Sequence, residues 1–404
     1  MKQLRLTEYE TTSGIQLDPA ERDFLSSHVP KLDIHPTPGT IDHYDLTPGS
    51  TIGALRHQSL AVEIRPKVPI DRVLFLLSYS LNPKKWKEST FDYTVTDSIV
   101  DAIIPAFVMQ TKAALRRGLL RSYQHREDTL PTIRGRIRFA DQIRKRFGIY
   151  PPLEVAFDEF TEDITENQLL KAATLQLKKR HIRSQAIRQQ LSQLDGFFET
   201  VNAVKFHPRQ LPEIAFTRLN QHYRSCLGLA ELILKATSFE LGYGDTLANA
   251  FLVDMNDVFE KFVITALREA LQLTESQFPD NLKGRSLHLD SAQHVSLIPD
   301  FSWWEGHRCV FVGDVKYKKT SVLGMKHPDL YQMLAYTTAT ELPHGLLIYT
   351  GDVEPRSHII PMAGKEIETV ALDISGTPQQ ILEQVSSIAD RIREKRFHME
   401  TTFN

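Results

Sequence analysis

Asp314 and Lys316 stand two residues apart in an apolar run, CVFVGDVKYKK, and Asp300 follows a proline fourteen residues earlier, in HVSLIPDFSWW. Residues two apart on a strand project from one face. The turn residues Glu305-Gly306-His307 between the two stretches predict a β-hairpin that brings Asp300 towards Asp314. Two carboxylates about 4 Å apart repel by roughly 4 kcal/mol at an effective dielectric near 20. Apolar neighbours worsen that repulsion, so the arrangement calls for a cation between them. A hard divalent ion, Mg²⁺ or Mn²⁺, takes carboxylate oxygens of this kind. Such an ion acidifies bound water and stabilises charge on a phosphate, while Lys316 can orient a nucleophile or neutralise developing charge. A surface hairpin with a solvated Asp–Lys pair accounts for any one of these residues. It does not account for Pro-Asp, turn, apolar strand and Asp-x-Lys in that order.

The elements around the pair read as helix, strand, strand, helix, strand. NDVFEKFVITALREAL predicts a helix from about Asp254 to Leu271, the hairpin follows, then a helix in HPDLYQMLAYTTAT and an apolar strand, GLLIYT. This order implies a mixed sheet with helices on both faces. PQQILEQVSSIADRIREKRF adds a last helix. Residues 1–70 are β-rich, with strand-like LRLTEY and LAVEIRPKV, and Asp18-Pro19 opens one early helix as N-cap and first-turn proline. Residues 71–245 read as mainly helical, interrupted at TIRGRIRF by a hairpin or bulged strand with Gly135 at the irregular point. The expected fold is therefore multidomain α+β: a β-rich amino-terminal module (1–70), a helical middle (71–245) and a carboxy-terminal α/β domain with a mixed sheet (246–404). The 404 residues exceed one ordinary core.

Composition bounds the alternatives. No apolar run approaches the roughly 18 residues of a membrane span, and MKQLRLTEYETT has no apolar signal region. Cys226 and Cys309 cannot build a cysteine-rich zinc site, which points to the cytosol. There is no HExxH, no G-x-S-x-G and no G-x-x-x-x-G-K-[ST], so neither zinc-protease, serine-hydrolase nor P-loop chemistry is encoded. Net charge is −2, yet Lys112–Arg146 holds eleven bases against three acids, and Glu154–Glu166 holds six acids and no base. Arg134, Arg136, Arg138, Arg144, Lys145 and Arg146 are candidates for contacting a phosphate backbone. A solvated basic face, or one docked on the acidic segment or an acidic partner, is the plainer alternative.

Pro299-Asp300 with Asp314-Val315-Lys316 resembles the PD-(D/E)xK nuclease motif in its Asp variant. That resemblance implies an added acidic metal ligand at Glu260, in VFEKF, and a supporting role for Gln332 and Tyr336, whose i,i+4 spacing places them on one helix face. An ordinary helix acid and simple packing are the alternatives for these three. Together with IRPKV (64–68), TIRGRI (132–137), FDEFTEDITENQLLKAA (157–173), RLNQHYRSCLGLAELIL (218–234) and DVKYKK (314–319), the chain resembles the McrC family from about residue 60 to 350. McrC is the nuclease subunit of McrBC-type modification-dependent restriction systems. The resemblance implies a restriction-endonuclease-like fold for 246–404 and Mg²⁺-dependent cleavage of modified double-stranded DNA. It also implies an McrB-like AAA+ motor, fuelled by GTP or ATP, as partner. Two other readings stay open: a non-catalytic adaptor that stimulates the motor, and a stand-alone DNA repair nuclease.

Overall fold

The computed structural model describes residues 2–57, 60–81, 83, 99–179, 182, 184–207, 210–236, 249–282, 285–319, 327–352 and 354–402. The chain forms two compact units, one from Met1–Ala102 with Leu252–Asn404 and one from Ile103–Phe251. Sequence texture changes at 70 and 245, but chain contacts divide elsewhere. The cause is strand pairing: β1 (Lys2–Thr7) lies parallel to β6 (Leu60–Arg65), β6 pairs antiparallel with β5 (Thr51–His57), and β10 (Asn249–Asp254) completes the sheet in the order β1-β6-β5-β10. The amino-terminal residues therefore fold as one body with the carboxy-terminal ones.

In that first unit, β2 (Thr12–Gln16), β4 (His43–Pro48) and β3 (Leu32–Pro36) form a small antiparallel sheet. Between β2 and β3 runs α1 (Pro19–His28), whose N-cap Asp18 and Glu21 make the reciprocal capping box that its sequence announced. Helix α2 (Ile70–Leu81) sets Phe75 and Tyr79 edge-on to Phe262 of α8 (Met255–Leu271), with ring centroids 5.3 and 5.5 Å apart. After a short β11 (Leu287–His288) and β12 (Ser296–Leu297) pair comes a five-stranded mixed sheet. Its order is β13 (Phe301–Glu305), β14 (Arg308–Lys319), β15 (His344–Thr350), β17 (Lys365–Leu372) and β16 (Arg356–Ile360). The β14-β15-β17 ladder is parallel and both edge pairs are antiparallel. Lys318 on β14 reaches Asp329 of α9 (His327–Ala339), whereas Tyr317 beside it packs on Phe259 of α8. The two helices thus cover opposite faces, as the helix–strand order implied. Helix α10 (Pro378–Thr402) ends the unit, and none of the described helices is long and apolar enough to cross a membrane.

The second unit is less helical than the sequence suggested. Helices α3 (Ile99–Ala114), α5 (Thr165–Lys178) and α7 (Arg224–Ala236) are where the apolar periodicity placed them, and α6 (Gln185–Phe197) adds a helix within the same helical region. Two nine-residue strands, β7 (Ser122–Leu130) and β9 (Leu153–Thr161), were not anticipated. They pair along their whole length, with β8 (Arg136–Ile137) on the other side of β9 and α4 (Phe139–Arg146) following it. SYQHREDTL has no apolar alternation to betray a strand; its ladder with β9 holds it, with His125 against Asp158, Arg126 reaching Glu159 and Tyr123 packing on Phe160. Gly135 is the irregular point at φ +71°, because a Cβ there would lie 2.3 Å from the Ala156 carbonyl oxygen.

Candidate active site

The strand HVSLIPDFSWW breaks at Pro299-Asp300 into β12 and β13, so Asp300 sits at the mouth of the β13–β14 hairpin. Phe301 pairs with Gly313, which sets Asp300 beside Asp314. The Val315 N–H donates to Asp300 Oδ2 at 2.8 Å, fixing that carboxylate on the partner strand. Asp314 is wholly buried; its Oδ1 has no hydrogen-bond donor, while the Lys316 ammonium is paired with Oδ2. Burial first, and then the facing Asp314 charge, pushes Asp300 up to about 8. Burial likewise raises Asp314, against the pull of Lys316. Lys316 loses basicity to burial but gains more from Asp314, and ends above the ordinary lysine value.

Glu260 reaches the same corner from α8 through Asn281. The Asn281 side-chain amide donates to Glu260 Oε1 at 3.3 Å, and its backbone N–H donates to the Asp300 carbonyl at 3.3 Å. Burial, then the Asp280 charge, raises Glu260 to about 7, with Asp257 and Asp314 adding to it. Gln332 and Tyr336 lie on one face of α9: Gln332 Nε2 donates to Tyr336 Oη at 2.7 Å, and Tyr336 donates to the Ile298 carbonyl at 2.9 Å. That second bond pins the helix to the strand end that carries Pro299-Asp300. The charges of Asp314 and Asp300, after burial, raise the Tyr336 phenol. All six residues expected at the site therefore gather around β13, β14 and α9.

A divalent cation fits this corner. Two raised carboxylates, one wholly buried with an oxygen that lacks a donor, form a pair that positive charge would relieve. Among the described residues no three His, Cys, Asp or Glu side chains converge closely enough to hold an ion alone. The donor set on offer is thus Asp300 and Asp314, with water making up the rest, as suits Mg²⁺.

Three neighbours escaped the sequence reading. Asp280 belongs to a second Pro-Asp pair, Pro279-Asp280, and bridges to Phe301. Asp329 in the first turn of α9 accepts from Lys318 and from Tyr349. Behind β14, buried Glu8 accepts from Tyr317 Oη at 2.7 Å and from the Lys67 N–H at 2.8 Å. The Lys67 ammonium lies 4.7 Å from the Tyr9 ring centre and 4.3 Å from that of Tyr317, a cation held between two aromatic faces. IRPK thus supports β14 from behind, a role that no local spacing reveals.

The basic stretch lies in the second unit and spends much of its charge internally. Arg134 bonds Glu159 at 3.0 Å and stacks 3.9 Å over Phe157; Arg138 pairs with Glu127 and Asp141; Arg144 pairs with Asp141. Lys145 and Arg146 both meet Glu154 at 3.3 Å. Among the described residues Arg136 is the one candidate of the six without an ion pair, and it lines an open depression of about 430 Å³ with Arg134 and His125.

A family model described as McrBC 5-methylcytosine restriction system component matches residues 46–350. The type IV methyl-directed restriction enzyme EcoKMcrBC of Escherichia coli strain K12 is 20% identical over 171 residues, 42% of this chain and 49% of the relative. The chain therefore spans about half the length of that curated relative. A chain of the refined half-complex from a tetradecameric assembly of Thermococcus gammatolerans McrB AAA+ hexamers with bound McrC superposes with a TM-score of 0.54 at 19% identity. That match covers 97% of this chain and 100% of the other, and at such identity it speaks for the fold alone.

Proposed function

Because the chain belongs to the McrBC 5-methylcytosine restriction system component family, we propose that it is the DNA-cutting subunit of such a system, a Mg²⁺-dependent endodeoxyribonuclease. The observation that carries this reading is the pair of buried carboxylates, Asp300 and Asp314, facing each other across a hairpin with Lys316 beside them. An adaptor has no use for such a pair, which costs folding free energy through burial and mutual repulsion. In this reading residues 246–404 carry a restriction-endonuclease-like domain of the PD-(D/E)xK type. Asp300 and Asp314 hold the metal, with Glu260 as an outer acid that takes up a proton near neutrality. Bound Mg²⁺ supplies Lewis acidity at the phosphate and an acidified water. Lys316 would orient the nucleophile and offset charge on the phosphate. Gln332 and Tyr336 keep α9 over the strand end, so the acids stay in register with the substrate.

The substrate is modified duplex DNA, and the partner is an McrB-like AAA+ motor. The chain encodes no P-loop, so nucleotide energy has to come from a second subunit. With most of the basic stretch paired internally, any duplex contact there falls on Arg136 and on the 75% exposed side chain of Arg144. The test is cleavage of methylated duplex DNA by the chain with its motor and nucleotide. Asp300→Ala and Lys316→Ala each remove cutting while circular dichroism stays native, and excess chelator stops the parent protein. Undiminished cutting in chelator would falsify the metal assignment.

A further inference from the structure

Lys316 has a companion on the same strand face. Lys318 lies one pleat further along β14, roughly 6.8 Å on. Both of its contacts with Asp329 are short, 2.6 Å to Oδ2 and 3.0 Å to Oδ1, and Tyr349 Oη donates to Oδ2 at 2.8 Å. Asp329 and Tyr349 are buried, whereas 29% of the Lys318 side chain reaches solvent. The register between β14 and β15 slips between Lys316 and Lys319, and an irregularity of that kind re-aims the side chains beside it. A buried Asp–Lys pair is no better for stability than apolar side chains of the same volume. Here it also sets a third negative charge near Asp314, where acids already repel. What the arrangement gives in return is an ammonium held at a fixed place one pleat from Lys316, with a donor left for solvent or substrate.

We propose that Lys318 is a substrate-contacting residue: anchored by Asp329, its ammonium binds the DNA phosphate next to the one that is cut. This rests on the nuclease reading above, and the experiment keeps the two apart by measuring binding without metal or cleavage. Equilibrium binding of the full chain to an unmethylated labelled duplex is followed over a series of salt concentrations with a chelator present. The variant that decides is the double one, Lys318→Met with Asp329→Asn, which leaves the local net charge unchanged and no buried acid unpaired. One lost phosphate contact weakens binding about five- to tenfold near 0.1 M salt and lowers the slope of log affinity against log salt by about one. Lys318→Met alone loses more, because Asp329 then repels DNA, and Lys318→Arg keeps the parental slope. If the double variant binds with parental affinity and slope, Lys318 only neutralises Asp329 and the proposal is overturned. Absence of salt-dependent binding by the parent chain also overturns it. The nuclease reading fails separately, if Asp300→Ala protein still cuts.

Discussion

A carboxylate that folding drives towards its protonated form ties stability to pH. Glu260 and Asp300, raised to about 7 and about 8, bind protons in the folded chain that an unfolded chain has released near pH 4. Their contribution is fully present below the unfolded values and is lost as pH rises through the folded ones. The metal-free protein should therefore melt at progressively lower temperature from about pH 4 to 8. Mg²⁺ at the alkaline end should restore it, and Asp300→Asn should flatten the trend. A calorimetric Tm that is level over this range, with and without Mg²⁺, contradicts the geometry assigned to the acids. At this scale Asp300, Asp314 and Lys316 were legible because residue type and strand spacing define them. Asp329 and Lys67 were not, since each meets the site from another element and nothing in its own neighbourhood in sequence marks it.

The hairpin and the helix over it are what make the acids meet. Gly313 precedes Asp314, and a Cβ there would stand 2.1 Å from the Phe301 ring and 2.8 Å from the Leu346 carbonyl. Phe301 stacks on Phe278 at 5.4 Å, so the ring has no room to retreat. Gly313→Ala should cost about 1–3 kcal/mol by overpacking, read as a lower urea midpoint, and should cut activity by spreading the hairpin; an unchanged midpoint would refute that packing. In the second unit, β7 and β9 are joined by their ladder and by ion pairs such as Arg126–Glu159, while Leu130 and Ile137 pack on Leu153, Val155 and Phe157. Arg138→Glu should destabilise that unit by setting three acids together, whereas Arg136→Glu should leave the melt unchanged and weaken binding to duplex DNA of any sequence. Equal melts for the two variants would mean that the ion pairs contribute little, as many exposed pairs do. A polar strand such as β7 lacks the apolar period of two, whereas β9 carries Leu153, Val155 and Phe157 at that period, and the helices of this unit, with buried faces such as Leu169, Leu170, Ala173 and Leu177, kept theirs.

Across the whole molecule, the amino-terminal residues are part of the body that carries Asp300 and Asp314 rather than a separate module. Glu8 and Tyr9 reach Tyr317 from the end of β1, more than 300 residues away in sequence. Long-range pairing of this kind leaves no local trace, which is why texture placed a boundary at 70 that contacts do not respect. The carboxy-terminal order of helix, hairpin, helix and strand was legible, because each element carries its own periodicity. On the proposed reading, a chain that encodes no P-loop should cut poorly by itself. It should also raise the nucleotide turnover of its motor by favouring the motor's active state.

The most direct measurement compares wild type with Asp314→Asn in one reaction holding the chain, its AAA+ partner, nucleotide, Mg²⁺ and methylated duplex DNA. Cleavage and nucleotide hydrolysis are both recorded. The account predicts that Asp314→Asn loses cleavage by a factor on the order of 10³ or more, while stimulated hydrolysis stays at the wild-type level. Cutting by Asp314→Asn at the wild-type rate would contradict the account, as would a wild-type chain that stimulates hydrolysis yet never cuts.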